Sequence, residues 1–217
     1  MIEFEEVSKS FWTGRRRKVI LDRASFQLSL GQNLGILAPN GTGKSTLINM
    51  MAGLEKPDEG TVRREARVSF PLGYTGGTDL QLSAVENARY MARLYGHDPD
   101  FVEGFLRSLV DLGDYFYMPV STYSAGMRQR VVMALMLSLQ FDVYLIDEGL
   151  PSATDAEFRR QVAPVLRHRL ESATLVIVSH NPHVVEAYCH KAGVLRDGQL
   201  YLFDTVAAAR RLYDYVG

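Results

Sequence analysis

The feature that most constrains this chain is residues 38–46, which read Ala-Pro-Asn-Gly-Thr-Gly-Lys-Ser-Thr. A short apolar run, residues 33–37, comes directly before it, and residues 47–52 follow with apolar side chains at helical spacing. Gly53 and Pro57 then supply the signals that end a helix. The pattern predicts a buried strand, a glycine-rich loop and a helix in succession, which is the context that a phosphate-binding loop requires.

Each part of this loop has a task in binding a polyphosphate. Glycines let backbone N–H groups turn toward phosphate oxygens, and the helix N-terminus adds a partial positive charge. Lys44 is expected to reach the β- and γ-phosphates, and the Ser45 hydroxyl is expected to coordinate Mg²⁺. The predicted nucleotide-binding residues of the loop are Ala38, Pro39, Asn40, Gly41, Thr42, Gly43, Lys44, Ser45 and Thr46.

Position 38 departs from the motif. The pattern G-x-x-x-x-G-K-[ST] has its first glycine there, and this chain has alanine. Alanine fits when the local φ is negative, and Pro39 biases the residue before it toward an extended conformation. We therefore expect the loop to tolerate Ala38.

The composition is that of an ordinary globular protein, with 47% hydrophobic residues and a formal net charge of -1 over 217 residues. This near-neutral charge gives no support for non-specific binding to nucleic acid or anionic lipid. The single cysteine, Cys189, excludes an intrachain disulfide, fits a reducing cytoplasm and is expected to be a buried thiol. The N-terminus lacks the pattern of a signal peptide, and no run of about 18 apolar residues predicts a membrane span. Any role at a membrane is therefore expected to depend on a partner.

Strand-like and helical patterns along the chain predict an α/β fold. Residues 78–138 contain helical patterns, whereas buried strands occur before and after them. We therefore predict a helical lobe of residues 78–138 inserted into an α/β lobe formed by residues 1–77 and 139–217.

The N-terminal segment begins with an alternating strand pattern over residues 2–7. Residues 8–14 are predicted to form a turn that exposes Phe11 and Trp12. The basic run of residues 15–18 is interpreted as a solvated hairpin tip, with contact to anionic lipid or substrate as the alternative.

An acidic pair, Asp147 and Glu148, follows the apolar strand predicted at residues 143–146. Ligands of open α/β sheets bind at the carboxyl ends of the strands. Asp147 could hold Mg²⁺ through water at that edge, and Glu148 could polarise an attacking water as a general base. The pair could instead only end the strand, but the phosphate-loop pattern upstream favours the catalytic interpretation.

A second candidate anion site lies at residues 123–130, Tyr-Ser-Ala-Gly-Met-Arg-Gln-Arg, which open a predicted helix. Ser124 can cap that helix, and small residues leave its N-terminal amides accessible. A simple kinase has no need for such a site, whereas an enzyme that binds ATP between two subunits does. The residues concerned are Ser124, Ala125 and Gly126.

A histidine, His180, follows the buried strand predicted at residues 175–178. A lone histidine after a strand is more often structural. At the same sheet edge as the other parts, His180 could contact the γ-phosphate and orient the water.

Taken in order along the chain, these motifs resemble the nucleotide-binding domains of ABC transporters. Residues 41–46 match the family's Walker A core, residues 123–130 its signature, Asp147 and Glu148 its Walker B motif, and His180 its switch histidine. The resemblance implies a P-loop NTPase of the ABC ATPase type with a mixed or parallel sheet core. It also implies an antiparallel β subdomain and an inserted helical subdomain.

The resemblance also implies the cofactors and partners. ATP and Mg²⁺ are the implied cofactors, and Phe11 stands where the family's adenine-stacking aromatic lies, with Trp12 as the neighbouring candidate. A homodimer is implied, in which each ATP lies between Lys44 of one subunit and Ser124–Gly126 of the other. Glu148 would activate water and His180 would sense the γ-phosphate.

A transporter of this kind implies a separate integral-membrane permease. The permease would dock near residues 78–95 of the helical lobe and be driven by closure and opening of the ATPase dimer. The resemblance thus places the chain peripherally at the cytoplasmic face of the inner membrane, with membrane contact only through the permease and no nucleic-acid partner.

A narrower resemblance is to the ATP-binding subunits of capsular polysaccharide exporters. It is carried by the residue runs 70–73, 76–77, 86–87, 92–96, 123–127 and 141–144. O-antigen and teichoic acid subunits share much of this pattern and remain the alternative. Many O-antigen subunits carry a further carbohydrate-binding domain, for which a chain ending at residue 217 leaves no room, so the capsule branch is favoured.

Three departures from the family pattern bear on activity. The Q-loop glutamine would fall at Asp79, which could still ligate Mg²⁺, and Gln81 lies two residues on. The D-loop region, residues 149–155, is one residue longer than usual, with Asp155 as its aspartate. With Ala38, these departures could mean a slow ATPase, but the lysine, the magnesium ligand, the base and the histidine are all present.

Three other functions stay open on the sequence. A P-loop kinase would fit the size of the chain but not the signature helix or His180. A non-transport ABC ATPase would typically carry a coiled-coil insertion or two cassettes. A non-hydrolysing ATP-gated module is suggested by Ala38 and Asp79.

Overall fold

The computed structural model describes residues 1–71, 78–148 and 156–215. Its strands are β1 (Ile2–Thr13), β2 (Arg16–Leu28), β3 (Leu34–Leu37), β4 (Glu59–Arg64), β5 (Val143–Asp147), β6 (Thr174–Ser179), β7 (Lys191–Arg196) and β8 (Gln199–Phe203). Its helices are α1 (Lys44–Ala52), α2 (Ala84–Leu94), α3 (Pro99–Leu109), α4 (Ala125–Ser138), α5 (Ala156–Leu170), α6 (Pro182–Tyr188) and α7 (Val206–Asp214). Short 3-10 helices cover Gly113–Tyr117 and Val120–Thr122.

The described residues form two compact units. The first contains residues 1–71, 141–148 and 172–215, and the second contains residues 78–140 and 156–171. The sequence boundary at residue 138 assigned α5 to the α/β lobe, whereas α5 belongs to the second unit. Helix α5 contacts α3 and α4 of that unit, and the Arg169 side chain donates a hydrogen bond to the Leu137 carbonyl at 2.9 Å.

The first unit is built on two sheets. Strands β2, β1 and β4 form an antiparallel sheet in that order. The second sheet has the order β5-β6-β3-β7-β8, in which the first four strands are parallel and β8 runs antiparallel to β7. The predicted mixed sheet core and antiparallel β subdomain are therefore confirmed.

The N-terminal hairpin is longer than the sequence predicted. Residues 8–14 were expected to form a turn, but β1 continues to Thr13 and pairs Trp12 with Arg17 and Thr13 with Arg16. Pairing with β2 satisfies the backbone groups of this stretch, and local sequence patterns do not reveal that pairing. The turn is confined to Gly14 and Arg15, so the basic run does lie at a solvent-exposed hairpin tip.

The second unit is helical, and its first helix, α2, is capped by Ser83. The Ser83 hydroxyl accepts a hydrogen bond from the Glu86 backbone N–H at 3.2 Å. The Glu86 carboxylate accepts one from the Ser83 backbone N–H at 2.8 Å. This reciprocal capping box satisfies two N–H groups that the helix itself leaves unpaired.

Cys189 is a buried thiol, as predicted, and is not part of a disulfide. Burial in apolar surroundings raises its pKa to about 12, so the thiol stays protonated and unreactive at neutral pH. Within the three described segments, no helix is both long enough and apolar enough to cross a membrane.

Candidate functional site

The candidate site lies at the carboxyl edge of the parallel sheet. Strand β6 lies between β3 and β5, with Leu37 opposite Ser179 and Asp147 opposite Val178. The carboxyl ends of these three strands and the segments that follow them therefore meet at one edge. They carry the phosphate-loop sequence, the acidic pair and His180, so the structure brings together residues that lie more than 100 positions apart.

The loop after β3 accommodates alanine at its start. Ala38 is fully buried, does not adopt a positive φ, and donates its N–H to the Ser179 carbonyl at 3.1 Å. The backbone conformation expected for Ala38 is thus present. Gly41 and Gly43 do adopt positive φ values, of 79° and 108°, and residues that have a Cβ atom rarely adopt such values.

Gly43 is required for a second, steric reason. A Cβ atom at this position would lie 2.4 Å from Cγ2 of Ile20, a buried residue of β2. The hairpin therefore packs directly against the loop at the point where α1 begins. Sequence reasoning missed Ile20, because only the tertiary fold brings β2 to the loop.

The Lys44 ammonium forms an ion pair and hydrogen bonds with neighbouring residues of the site. Its Nζ lies 3.0 Å from Oε1 of Glu148, 2.8 Å from Oδ1 of Asn40 and 3.3 Å from the Pro39 carbonyl. Only 6% of the lysine side chain is exposed. The two residues predicted to bind phosphate and to act as general base therefore form an ion pair, which a bound polyphosphate would have to replace at Lys44.

Glu148 is held in a conformation that costs energy. It adopts a positive φ of 65°, and its N–H donates to the Val178 carbonyl at 2.7 Å. Such strain in a non-glycine residue persists only where the surroundings enforce it, often at functional sites. The hydrogen bond and charge of Lys44 lower the pKa of Glu148, and His180, whose Nδ1 lies 3.5 Å from Oε1, lowers it further. The carboxylate is therefore ionised at neutral pH and can accept a proton.

Asp147 has the properties of a metal-binding carboxylate. Its Oδ2 accepts from the Ser45 hydroxyl at 2.7 Å, whereas its Oδ1 is buried with no protein partner among the described residues. Burial, which disfavours the ionised form, raises the pKa of Asp147. A divalent cation or its coordinated water would satisfy the buried oxygen and stabilise the ionised form, so the residues fit Mg²⁺.

The acidic pair is not a metal cage by itself. Among the described residues, no group of three or more histidine, cysteine, aspartate or glutamate side chains could hold a metal ion. Mg²⁺ commonly keeps several waters and takes one or two protein ligands together with substrate phosphates. Ser45 and Asp147 are suited to that type of site.

A cleft of about 550 Å³ opens beside the loop. It is lined by Phe11, Thr13, Lys18, Ile20, Asn40, Gly41, Gly43, Lys44, Ser45, Thr46 and Glu148. Phe11 is 40% exposed, and the Lys9 ammonium lies 5.0 Å from its ring centroid. Trp12 is 73% exposed and does not line the cleft, so the structure favours Phe11 as the aromatic side chain of the site.

Comparison with known proteins gives the family. The model for "ABC transporter" matches residues 21–150, which is more than half of the chain. This chain belongs to the ABC transporter family. It is 38% identical to the ATP-binding protein BexA of Haemophilus influenzae over 99% of this chain and 98% of that protein. It is 36% identical to the capsule polysaccharide export ATP-binding protein CtrD of Neisseria meningitidis, over 99% of both chains.

Solved structures agree on the fold of this ABC transporter family member. The ATP-binding cassette MJ0796, in a dimeric post-hydrolysis state bound to ADP and Pi, matches with a TM-score of 0.75. The match covers 92% of this chain and 96% of that one at 20% identity. At this identity the likeness confirms the ABC cassette fold alone.

The residues predicted to form the signature of this ABC chain lie in the second unit. Ser124 caps α4, and its hydroxyl accepts from the Met127 N–H at 3.2 Å. Ser124 and Ala125 are exposed, and Gly126 is half-buried, which leaves the start of the helix accessible. Their predicted contact with a nucleotide on another subunit stays a prediction.

Asp79 is also in the second unit, where its carboxylate has a local task. Oδ1 accepts from the Gln81 N–H at 2.8 Å, and the backbone N–H of Asp79 donates to Oδ1 of Asn87 at 2.8 Å. The predicted role of Asp79 as a magnesium ligand remains a prediction. The D-loop interpretation of residues 149–155 and the glycines at 76–77 lie outside the described residues.

Proposed function

We propose that the chain is the ATP-hydrolysing subunit of a bacterial exporter that moves a capsular polysaccharide across the inner membrane. The observation that carries this proposal is similarity over nearly the full length to CtrD, named for capsule polysaccharide export. The polysialic acid transport protein KpsT of Escherichia coli adds 34% identity over 96% of both chains. The assembled edge of the sheet supports the ATPase part of the proposal independently.

The residues of the site have separate roles in the proposed reaction. Lys44 leaves Glu148 and binds the β- and γ-phosphates. Ser45 and Asp147 would hold Mg²⁺, which would neutralise phosphate charge. Glu148, freed from the lysine, accepts the proton of the attacking water. His180, already beside Glu148, orients that water and contacts the γ-phosphate.

The proposed assembly is a homodimer joined to a permease. The solved cassette MJ0796 is described as dimeric with ADP and Pi, which supports a dimer here. Each ATP would lie between the loop around Lys44 of one subunit and Ser124–Gly126 of the other. The dimer would bind a membrane-embedded permease from the cytoplasmic face, which gives the chain a peripheral location.

The test of transport uses the native host. Lys44→Ala removes the ammonium that binds the phosphates, so we expect polysaccharide to disappear from the cell surface and to accumulate inside. The measurement is glycan composition of both fractions at matched protein levels, and Lys56→Ala, which changes an exposed lysine away from the cleft, is the control. An unchanged surface with no internal pool would contradict capsule export, whereas loss of another surface glycan would identify a related exporter.

The magnesium site is tested with the purified chain. Ser45→Ala removes the hydroxyl that contacts Asp147, and we expect the Mg²⁺ concentration for half-maximal ATP hydrolysis to rise about tenfold or more. ATP binding without Mg²⁺ should change little. Ser108→Ala, which removes an exposed hydroxyl in α3, serves as the control. An unchanged Mg²⁺ requirement would rule out Ser45 as a ligand.

A further inference from the structure

Lys18 is a second cation of the cleft, and no motif of the sequence assigns it a role. It lies on β2 directly opposite Phe11 of β1. Residues that face each other across an antiparallel pair project to the same side of the sheet. Phe11 and Lys18 accordingly line the same cleft, together with Gly41 and Lys44 of the loop.

The Lys18 ammonium is close to the phosphate loop. A Cβ built on Gly41 would lie 3.8 Å from Lys18 Nζ, which places the charge beside the part of the loop with positive φ. Gly41 is one of the residues whose conformation lets backbone N–H groups converge on an anion. The ammonium and the loop therefore face the same small volume.

The two cations of the cleft differ in their partners. Lys44 is paired with Glu148 and hydrogen-bonded to Asn40. Lys18 is exposed, and over residues 1–71, 78–148 and 156–215 its ammonium has neither an ion pair nor a hydrogen bond. In this structure Lys18 is thus the cation available to an arriving anion without breaking an existing contact.

We propose that Lys18 is a phosphate-binding residue of the nucleotide site. Its ammonium contacts phosphate oxygens of ATP or ADP next to Gly41, while Phe11 on the facing strand stacks on the base. An ammonium donates hydrogen bonds and cannot accept them. Phosphate oxygens, which only accept, are therefore better partners for Lys18 than a nucleobase edge, which carries both donors and acceptors. This inference rests on the proposed ATPase function and adds a residue to that site.

The experiment measures equilibrium binding of ATP, ADP and adenosine to the purified full chain. We expect Lys18→Gln to weaken ATP and ADP binding by about three- to tenfold and to leave adenosine binding unchanged, because only the phosphates carry the partner charge. Lys18→Arg, which keeps a cation, should retain most of the affinity. Thermal unfolding of each variant shows whether the hairpin still folds.

The matched control is Arg17→Gln. Arg17 is the neighbouring residue on β2, faces the other side of the sheet opposite Trp12, and donates to the Ser10 hydroxyl at 3.0 Å. The substitution removes the same charge from the same hairpin, so it reports any long-range effect of net charge. We expect nearly wild-type affinity for all three ligands.

Each alternative outcome has a distinct meaning. Wild-type affinity in Lys18→Gln, equal weakening in Arg17→Gln, or an equal loss of adenosine binding would overturn the assignment of Lys18 while leaving the ATPase proposal standing. Failure of the wild-type chain to bind ATP would overturn the proposed function itself. A partial loss restored by Lys18→Arg supports the inference.

Discussion

Glu148→Gln is expected to lower the rate of ATP hydrolysis by about 10²- to 10⁴-fold, which is the contribution of a positioned general base. The amide has nearly the same shape as the carboxylate but cannot take the proton of the attacking water. Glu148 is also the ion-pair partner of Lys44, at 3.0 Å. Its neutralisation should free the lysine for phosphate, so ATP binding should be unchanged or tighter.

Phosphate release and equilibrium ATP binding, measured on the same preparation, separate these two effects. Glu5→Gln is the control, because Glu5 is exposed and its partner, Arg63, lies away from the cleft. Hydrolysis near the wild-type rate in Glu148→Gln would show that another group accepts the proton. Loss of ATP binding would show that the carboxylate supports the loop rather than the chemistry.

Gly43→Ala is expected to weaken ATP binding by about 100-fold or more and to destabilise the fold. The φ of 108° alone costs on the order of 1–3 kcal/mol for a residue with a Cβ. The added Cβ would also lie 2.4 Å from Ile20 Cγ2, so the hairpin or the loop has to move. Since the loop's N–H groups must converge on phosphate, a shift of this kind removes the site.

Gly14→Ala is the control that separates the effect of backbone strain from the effect of the steric clash with Ile20. Gly14 has a φ of 62° in the hairpin turn, and a Cβ there would meet nothing within 4 Å. This control should lose stability through its backbone conformation and should keep ATP binding. Thermal unfolding and equilibrium ATP binding give the comparison, and normal ATP affinity in Gly43→Ala would contradict the role of the close contact.

Much of the site could be predicted because its signals are local. The phosphate loop is a contiguous stretch bounded by a strand and a helix. Ala38 was expected to be tolerated because a proline, here Pro39, favours an extended conformation in the residue directly before it. Asp147, Glu148 and His180 each follow an apolar strand. Parallel strands end at one edge of a sheet, so their meeting followed from the predicted fold class.

The N-terminal hairpin shows where local patterns are not enough. Residues 8–14 were predicted to form a turn, but β1 continues through this stretch because it pairs with β2, and a local sequence pattern does not show that pairing. The same pairing places Lys18 opposite Phe11 and packs Ile20 against Gly43. Lys18 and Ile20 could be assigned to the site only once the pairing register of β1 and β2 was known.

Short-range periodicity and residue type were enough to predict the order of the elements, the chemistry of the loop and the carboxylates at the end of β5. The tertiary structure was needed to show that Lys44 is paired with Glu148 and that α5 packs with the helical unit. It also showed that one oxygen of Asp147 is buried without a protein partner among the described residues. Each of these depends on contacts between residues far apart in the chain. Such contacts are set by how the sheets and helices pack, which is information that local sequence does not carry.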